Sequence, residues 1–308
     1  MIMSVSMITM MMTPPAEAGT SSTQQTVMML RFIADWHDGD LPNPFGTRCV
    51  DSSWTAGTPI WEWNGILCSN NEKGDGVATS FQWTDRWCFG SFNGSNLPVG
   101  MLFVQLGYNH FSGTPDMSKL PPGLKTLDLS YNAFSGTPDL TVLPAGIRKL
   151  SLFNNHFSGS IDLTKLPADL PTLDMSNNNL TGTPDLTQLP AGMTRLYLRN
   201  NALNGSADLT KLPAGMQFLF LQGNQLSGTP NLTSLPDMIN FVDLADNRLF
   251  GTPDLSKLPP SMLGLDLLNN TPGWCGSFKL NVPCYVVDIA TPSCMCEDMS
   301  ITCPACTS

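Results

Sequence analysis

The chain has 308 residues, 42% of them apolar or aromatic, enough for one large or two ordinary domains with a real core, which excludes a short scaffold held by disulfides alone. Only 13% of residues are charged, and 25 acidic against 15 basic side chains leave a formal charge of −10, without the basic excess that phosphate backbones require, so nucleic acid is not an expected partner. Gly at 26 and Pro at 25 are abundant, and beside so much Leu, Phe and Met they read as punctuation of something regular.

Residues 1–18 are read as a signal peptide: Met7 to Met12 form an apolar run and Ala16-Glu-Ala18 resembles a cleavage signal, although a basic leading region is missing. Residues 19–77 precede the regular part of the chain. Met28 to Trp36 spaces its apolar residues for a short amphipathic helix, and the Gly- and Asn-rich stretch Ser69 to Gly76 reads as a loop.

Residues 78–270 repeat with a period of 23 and no insertion or deletion. Asn109, Asn132, Asn155, Asn178, Asn201, Asn224, Asn247 and Asn270 form one column. Apolar residues stand three, five and eight positions before each Asn, giving LxxLxLxxN, and Gly follows four after it, usually with Thr-Pro-Asp and then Leu-Pro. Phe81, Trp83, Gly90, Leu97 and Pro98 fit one phase earlier as a degenerate first repeat. One such turn cannot bury its own apolar columns, but stacked turns merge them into a continuous core. The LxL segments alternate as strands, so the expected fold is an α/β solenoid with about nine parallel strands on a concave face. Each Asn is expected to hydrogen-bond the backbone of its own and neighbouring turns, and Asp followed by Ser or Thr to cap a short helical turn on the convex side.

After Asn270, residues 271–308 carry Cys275, Cys284, Cys294, Cys296, Cys303 and Cys306, read as a disulfide-stapled cap, with zinc as the alternative at Cys294-x-Cys296 and Cys303-x-x-Cys306. Cys88 makes the total nine, an odd number. No stretch approaches the roughly 18 apolar residues that span a bilayer, so the chain is expected to be secreted, or anchored by a lipid if it continues past Ser308. Sequons occur at Asn93, Asn179, Asn204, Asn231 and Asn269, none on an outward strand position of the concave face.

These residues resemble the leucine-rich repeats, and within them the subtype of plant receptor ectodomains; the wording Asn132-Ala-Phe-Ser-Gly-Thr-Pro-Asp-Leu-Thr is most similar to kinetoplastid surface proteins of the parasite surface antigen type. The resemblance covers residues 81 to 270 and implies a horseshoe that recognises partners outside the cell without catalysis. Trp63-Asn-Gly-Ile-Leu-Cys68 resembles the end of the N-terminal cap in secreted members, which implies a bond from Cys49 to Cys68 and a Cys-containing cap over residues 19–77.

Positions six, four and two before each Asn point outward on the concave face and are free of core duty. Among them Lys149, Phe153, Arg195, Tyr197, Arg199, Phe218, Phe220 and Phe241 are the candidate binding residues, since aromatic and Arg side chains on an exposed sheet are typical of interfaces. The competing reading is cross-strand packing of the aromatics, with Arg195 and Arg199 paired to Asp174. The Asp column from Asp116 to Asp254 suggests calcium less economically than turn capping, so neither metal nor cofactor is expected. His37, His110 and His156 lie in unrelated contexts and no nucleophile or phosphate-loop motif occurs, so the chain is not expected to be an enzyme. The expected partner is a protein or glycan on a host or neighbouring cell; a structural coat or adhesion spacer and an intracellular regulator are the alternatives.

Overall fold

The computed structural model describes residues 64–70 and 76–270, together with Gln24, Gln25, Met28, Met29, Phe32, Ile33, Asp35 and Trp36. The leader, Cys49 and the six cysteines from Cys275 onward lie outside the described residues. The 23-residue period folds as a solenoid whose concave sheet has ten strands among the described residues. Nine are parallel, from Gly76–Gln82 through Phe103–Gln105, Thr126–Asp128, Lys149–Ser151, Thr172–Asp174, Arg195–Tyr197, Phe218–Phe220 and Phe241–Asp243 to Gly264–Asp266. Each pairs with the next in a register offset of one full repeat, as in Leu127↔Leu150 and Leu150↔Leu173.

The tenth strand, Ile66–Asn70, pairs antiparallel with Gly76–Gln82. The stretch from Ser69 to Gly76 is therefore not all loop: Ser69, Asn70 and Gly76 belong to a hairpin that covers the edge of the first parallel strand. An uncovered edge offers unpaired N–H and C=O groups to other chains, which gives this hairpin a purpose.

The columns three, five and eight before each Asn are the core, with Leu129, Leu152, Leu150, Leu173, Leu124 and Ile147 at zero exposure. A further column two after the Asn, absent from the expectations, begins with Phe111, Phe134 and Phe157, whose rings stack at 6.4 and 6.2 Å down the solenoid. These residues lie on a second set of short parallel strands, among them His110–Gly113, Ala133–Gly136 and His156–Ser160. The glycine four after the column Asn has positive φ in these turns; at Gly159 (φ +76°) a Cβ would stand against Thr137 Oγ1, so glycine lets the neighbouring turn close.

The convex side carries 3-10 turns at Gly94–Asn96, Met117–Lys119 and Leu140–Val142. The Asp column caps it: Asp139 Oδ1 accepts from Thr141 N–H at 2.9 Å and Asp162 Oδ1 from Thr164 N–H at 2.9 Å, and Asn231 does the same for Thr233 at 3.1 Å. Bonds from the Ser or Thr hydroxyl and N–H hold the carboxyls of Asp116, Asp139, Asp162, Asp185, Asp208 and Asp254 below the usual carboxylate range. At the N-terminal end Met29, Phe32, Ile33 and Trp36, spaced as a helix face, are buried against the first turn. Trp36 lies 4.5 Å from the Phe111 ring and donates through Nε1 to Ser91 O, and Gln25 Oε1 accepts from Ala78 N–H at 2.7 Å.

The expected bond to Cys68 is not made. Cys68 carries a free, half-buried thiol, whose ionisation burial pushes up, and Cys88 is the disulfide-bonded cysteine, with a partner outside the described residues. Cys88 is fully buried, with its N–H bound at 3.1 Å to Asn109 Oδ1, whereas Cys68 sits on the hairpin strand opposite Ala78.

All eight column Asn side chains bond as expected. In the Asn155 carboxamide, Nδ2 donates to Leu129 O, Leu152 O and Phe153 O at 3.0, 3.2 and 3.4 Å, while Oδ1 accepts from Phe134 N–H at 3.0 Å. Asn155→Ala leaves these buried backbone groups without partners, so the folded state is expected to lose about 3 kcal/mol. Urea denaturation checks this, and a loss below about 0.5 kcal/mol contradicts it.

Candidate functional site on the concave face

Strand alternation turns the apolar column into the core and presents the flanking positions to the concave side. Because the register never slips, outward residues line up in rows. Arg195, Phe218, Phe241 and Gly264 form one row, and Asp174, Tyr197, Phe220, Asp243 and Asp266 the next.

Five of the eight candidate residues come together here. The Arg195 guanidinium lies 5.5 Å from the centre of the Phe218 ring, Phe218 stacks on Phe241 at 5.8 Å and 9°, and Tyr197 leans on Phe220 at 5.3 Å. Phe218 also meets Phe220 edge-on at 6.3 Å, which joins the two rows. All four aromatic side chains remain half-buried, and Arg195 and Arg199 are exposed. The only ion pair found among the described residues is Arg148 with Asp169 at 3.1 Å, so the pairing of Arg195 and Arg199 with Asp174 that the competing reading required does not form.

Lys149 and Phe153 do not join this cluster. Lys149 stands two strands away, and Phe153 packs edge-on against Tyr131 at 5.0 Å in a separate aromatic group with Tyr108. Two contributors were not among the candidate binding residues. Gly264 ends the first row: a Cβ there would stand 2.7 Å from Phe241 Cδ1, so the Phe241 ring lies over the glycine. Asp243, between Phe220 and Asp266, has its carboxyl pushed up to about 6 by burial, with Asp266 and Asp246 adding to the rise and the Ala245 N–H and Arg199 opposing it. Burial likewise raises the Tyr197 phenol. A Gly at the sixth position before the Asn was the available signal for the first, while the second depends on which rings neighbour the carboxyl.

The five sequon asparagines are all exposed. Asn93 and Asn231 cap 3-10-like turns through Oδ1, and Asn269 donates to Asp246 Oδ1 at 3.0 Å. Among the described residues no group of three or more His, Cys, Asp or Glu is placed to hold a metal, and no helix is long and apolar enough to cross a membrane.

The Leucine Rich Repeat family pattern matches residues 123–142. No curated protein matches the sequence. Among solved structures the chain is similar to PEPR1 in the PEPR1-AtPEP1 complex, with a TM-score of 0.58 and 24% identity over 80% of this chain and 35% of that one. It is also similar to the leucine-rich repeat ectodomain of the Arabidopsis receptor kinase HAESA, solved with an IDA peptide hormone ligand, with a TM-score of 0.46 and 24% identity over 59% of this chain and 32% of that one. The chain thus spans about a third of these receptor chains. The fold is a leucine-rich repeat solenoid of the architecture seen in plant receptor ectodomains.

Asp243 gives the face a pH dependence. Its folded value, about 6, lies above the unfolded value near 3.9, so between these pH values the folded state holds a proton that the unfolded state has lost. Stability therefore falls as pH rises through that window and stays reduced above it. Asp243→Asn is expected to raise the thermal midpoint near pH 7 and leave it unchanged near pH 3.5. An equal shift at both pH values contradicts the assignment.

Proposed function

We propose that this protein is a secreted or cell-surface recognition module that binds a protein or glycan ligand through its concave face, with no chemical step. The observation that carries the reading is the joined rows of half-exposed aromatic residues, Tyr197, Phe218, Phe220 and Phe241, flanked by Arg195 and Arg199 without ion-pair partners among the described residues. Aromatic side chains on a rigid sheet gain contact energy with little loss of side-chain freedom, and Arg beside them adds charge and hydrogen-bond donors, which is how interface hot spots are built. Likeness in fold to PEPR1, solved together with AtPEP1, supports a binding role.

Placement outside the cell is supported by the leader-like residues 1–18, the five exposed sequon asparagines and a disulfide at Cys88. The repeat wording similar to kinetoplastid surface antigens supports the same placement. Residues 19–77 and 271–308 serve as caps in this reading, the latter stapled by Cys275, Cys284, Cys294, Cys296, Cys303 and Cys306. Lys149 and Phe153 extend the binding face toward the first turns.

The test is selection of a displayed random-peptide library on the intact protein and on the Tyr197→Ser/Phe218→Ser/Phe220→Ser variant, with circular dichroism confirming the fold of both. Enriched binders are expected to lose at least about tenfold in affinity for the variant, since each buried aromatic anchor contributes on the order of 1–2 kcal/mol. Binders that hold both proteins equally well contradict a concave site and favour a spacer whose rings serve packing alone.

A further inference from the structure

The residue before each column Asn has positive φ in all eight turns: Tyr108 (57°), Tyr131 (51°), Asn154, Asn177, Asn200, Gly223, Asp246 and Asn269. Asn, Asp and Gly take this conformation at small cost, whereas a bulky aromatic residue there is a true outlier. Two successive turns nevertheless place Tyr in it, and held strain of this kind points toward function.

The two rings are stacked with centroids 4.0 Å apart and planes 14° from parallel. Both face solvent, at 54% and 38% exposure. Their backbones are fixed by the ladder between turns, with Tyr108 N–H donating to Ser130 O and Tyr131 N–H to Phe153 O, each at 3.0 Å. Phe153 closes the other side of Tyr131. Tyr131 is thus left with a single phenolic neighbour.

We propose that Tyr108 and Tyr131 are a dityrosine cross-linking site, at which hydrogen peroxide acting through a haem peroxidase couples the two rings and ties neighbouring turns covalently. Each phenol gives one electron and its hydroxyl proton to the peroxidase. The spin of the resulting phenoxyl radicals reaches the carbons beside the C–O bond, and one Cε of each ring joins the other. Each joined Cε then loses its hydrogen, which returns a proton to the phenolic oxygen as the ring regains aromaticity. Two hydrogens leave the protein and one peroxide becomes two waters. Stacking on backbones fixed by the ladder makes this coupling effectively unimolecular, so it outcompetes encounters between molecules.

The full chain treated with hydrogen peroxide and a haem peroxidase, then digested and mapped by mass spectrometry, decides the matter. The expected product is a peptide pair joined at residues 108 and 131, lighter by two hydrogens, exceeding by about 100-fold any link through Tyr197 or Tyr285. Tyr131→Phe keeps the ring and abolishes the product, Tyr108→Phe does the same, and Tyr197→Phe leaves it unchanged. Absence of the 108–131 link in the wild type, its survival in either Phe variant at this pair, or dimers through Tyr197 or Tyr285 as the main product overturns the proposal.

Discussion

A hydrogen-bonded carboxamide at the bend of every turn, buried in five of the eight, is what the rest of the molecule depends on. Where the chain leaves the concave strand it must turn away while surrounded by apolar columns, and the peptide groups of the bend need partners that no strand supplies. Asn has two donors and an acceptor on one short, planar group. In Asn178 the amide donates to Leu152 O, Met175 O and Ser176 O while its oxygen accepts from Phe157 N–H, so one side chain binds its own turn and the one before it. A bond that spans turns in this way requires a constant distance along the chain between one Asn and the next. That requirement accounts for a 23-residue period without insertion from Asn109 to Asn270.

The constant period in turn makes the concave face. Residues far apart in sequence become lateral neighbours, so Arg195, Phe218 and Phe241 form a row by stepping one repeat at a time. Core duty is discharged by the alternate positions, which leaves the row free to differ from turn to turn. Thr126, Lys149 and Thr172 give the same row a polar character toward the first turns. The row therefore changes along the solenoid axis, with Phe218 and Phe241 over the later turns and Arg195 at the boundary with Thr126, Lys149 and Thr172.

The repeat, strand positions, Asn bonds and Asp caps were legible because each depends on residues at a fixed spacing within one turn. What was not legible depends on neighbours that the spacing does not reveal. The second set of strands is helped by glycines such as Gly159, where a Cβ would meet the neighbouring turn. Ser69 and Asn70 look like loop residues, yet pairing with Val77 and Gly76 places them at the edge of a sheet. The choice between Cys68 and Cys88 turns on burial in the first turn, which the count of nine cysteines does not encode. Tyr108 and Tyr131 sit in a column that reads as heterogeneous until the shared positive φ is seen. Of the concave site, the residues Arg195, Tyr197, Phe218, Phe220 and Phe241 were legible, whereas the detachment of Phe153 and Lys149 and the burial of Asp243 were not.

Native-state hydrogen exchange tests the central role of the carboxamides most directly. The N–H groups of Phe111, Phe134, Phe157, Leu180, Leu203, Leu226 and Leu249 each donate to the Asn of the following turn. If these bonds hold the turns together, those seven amides exchange as slowly as the amides of the concave strands, through the same cooperative opening. Fast exchange at these positions beside slow exchange in the strands would show that the sheet alone carries the solenoid and that the Asn column is incidental to it.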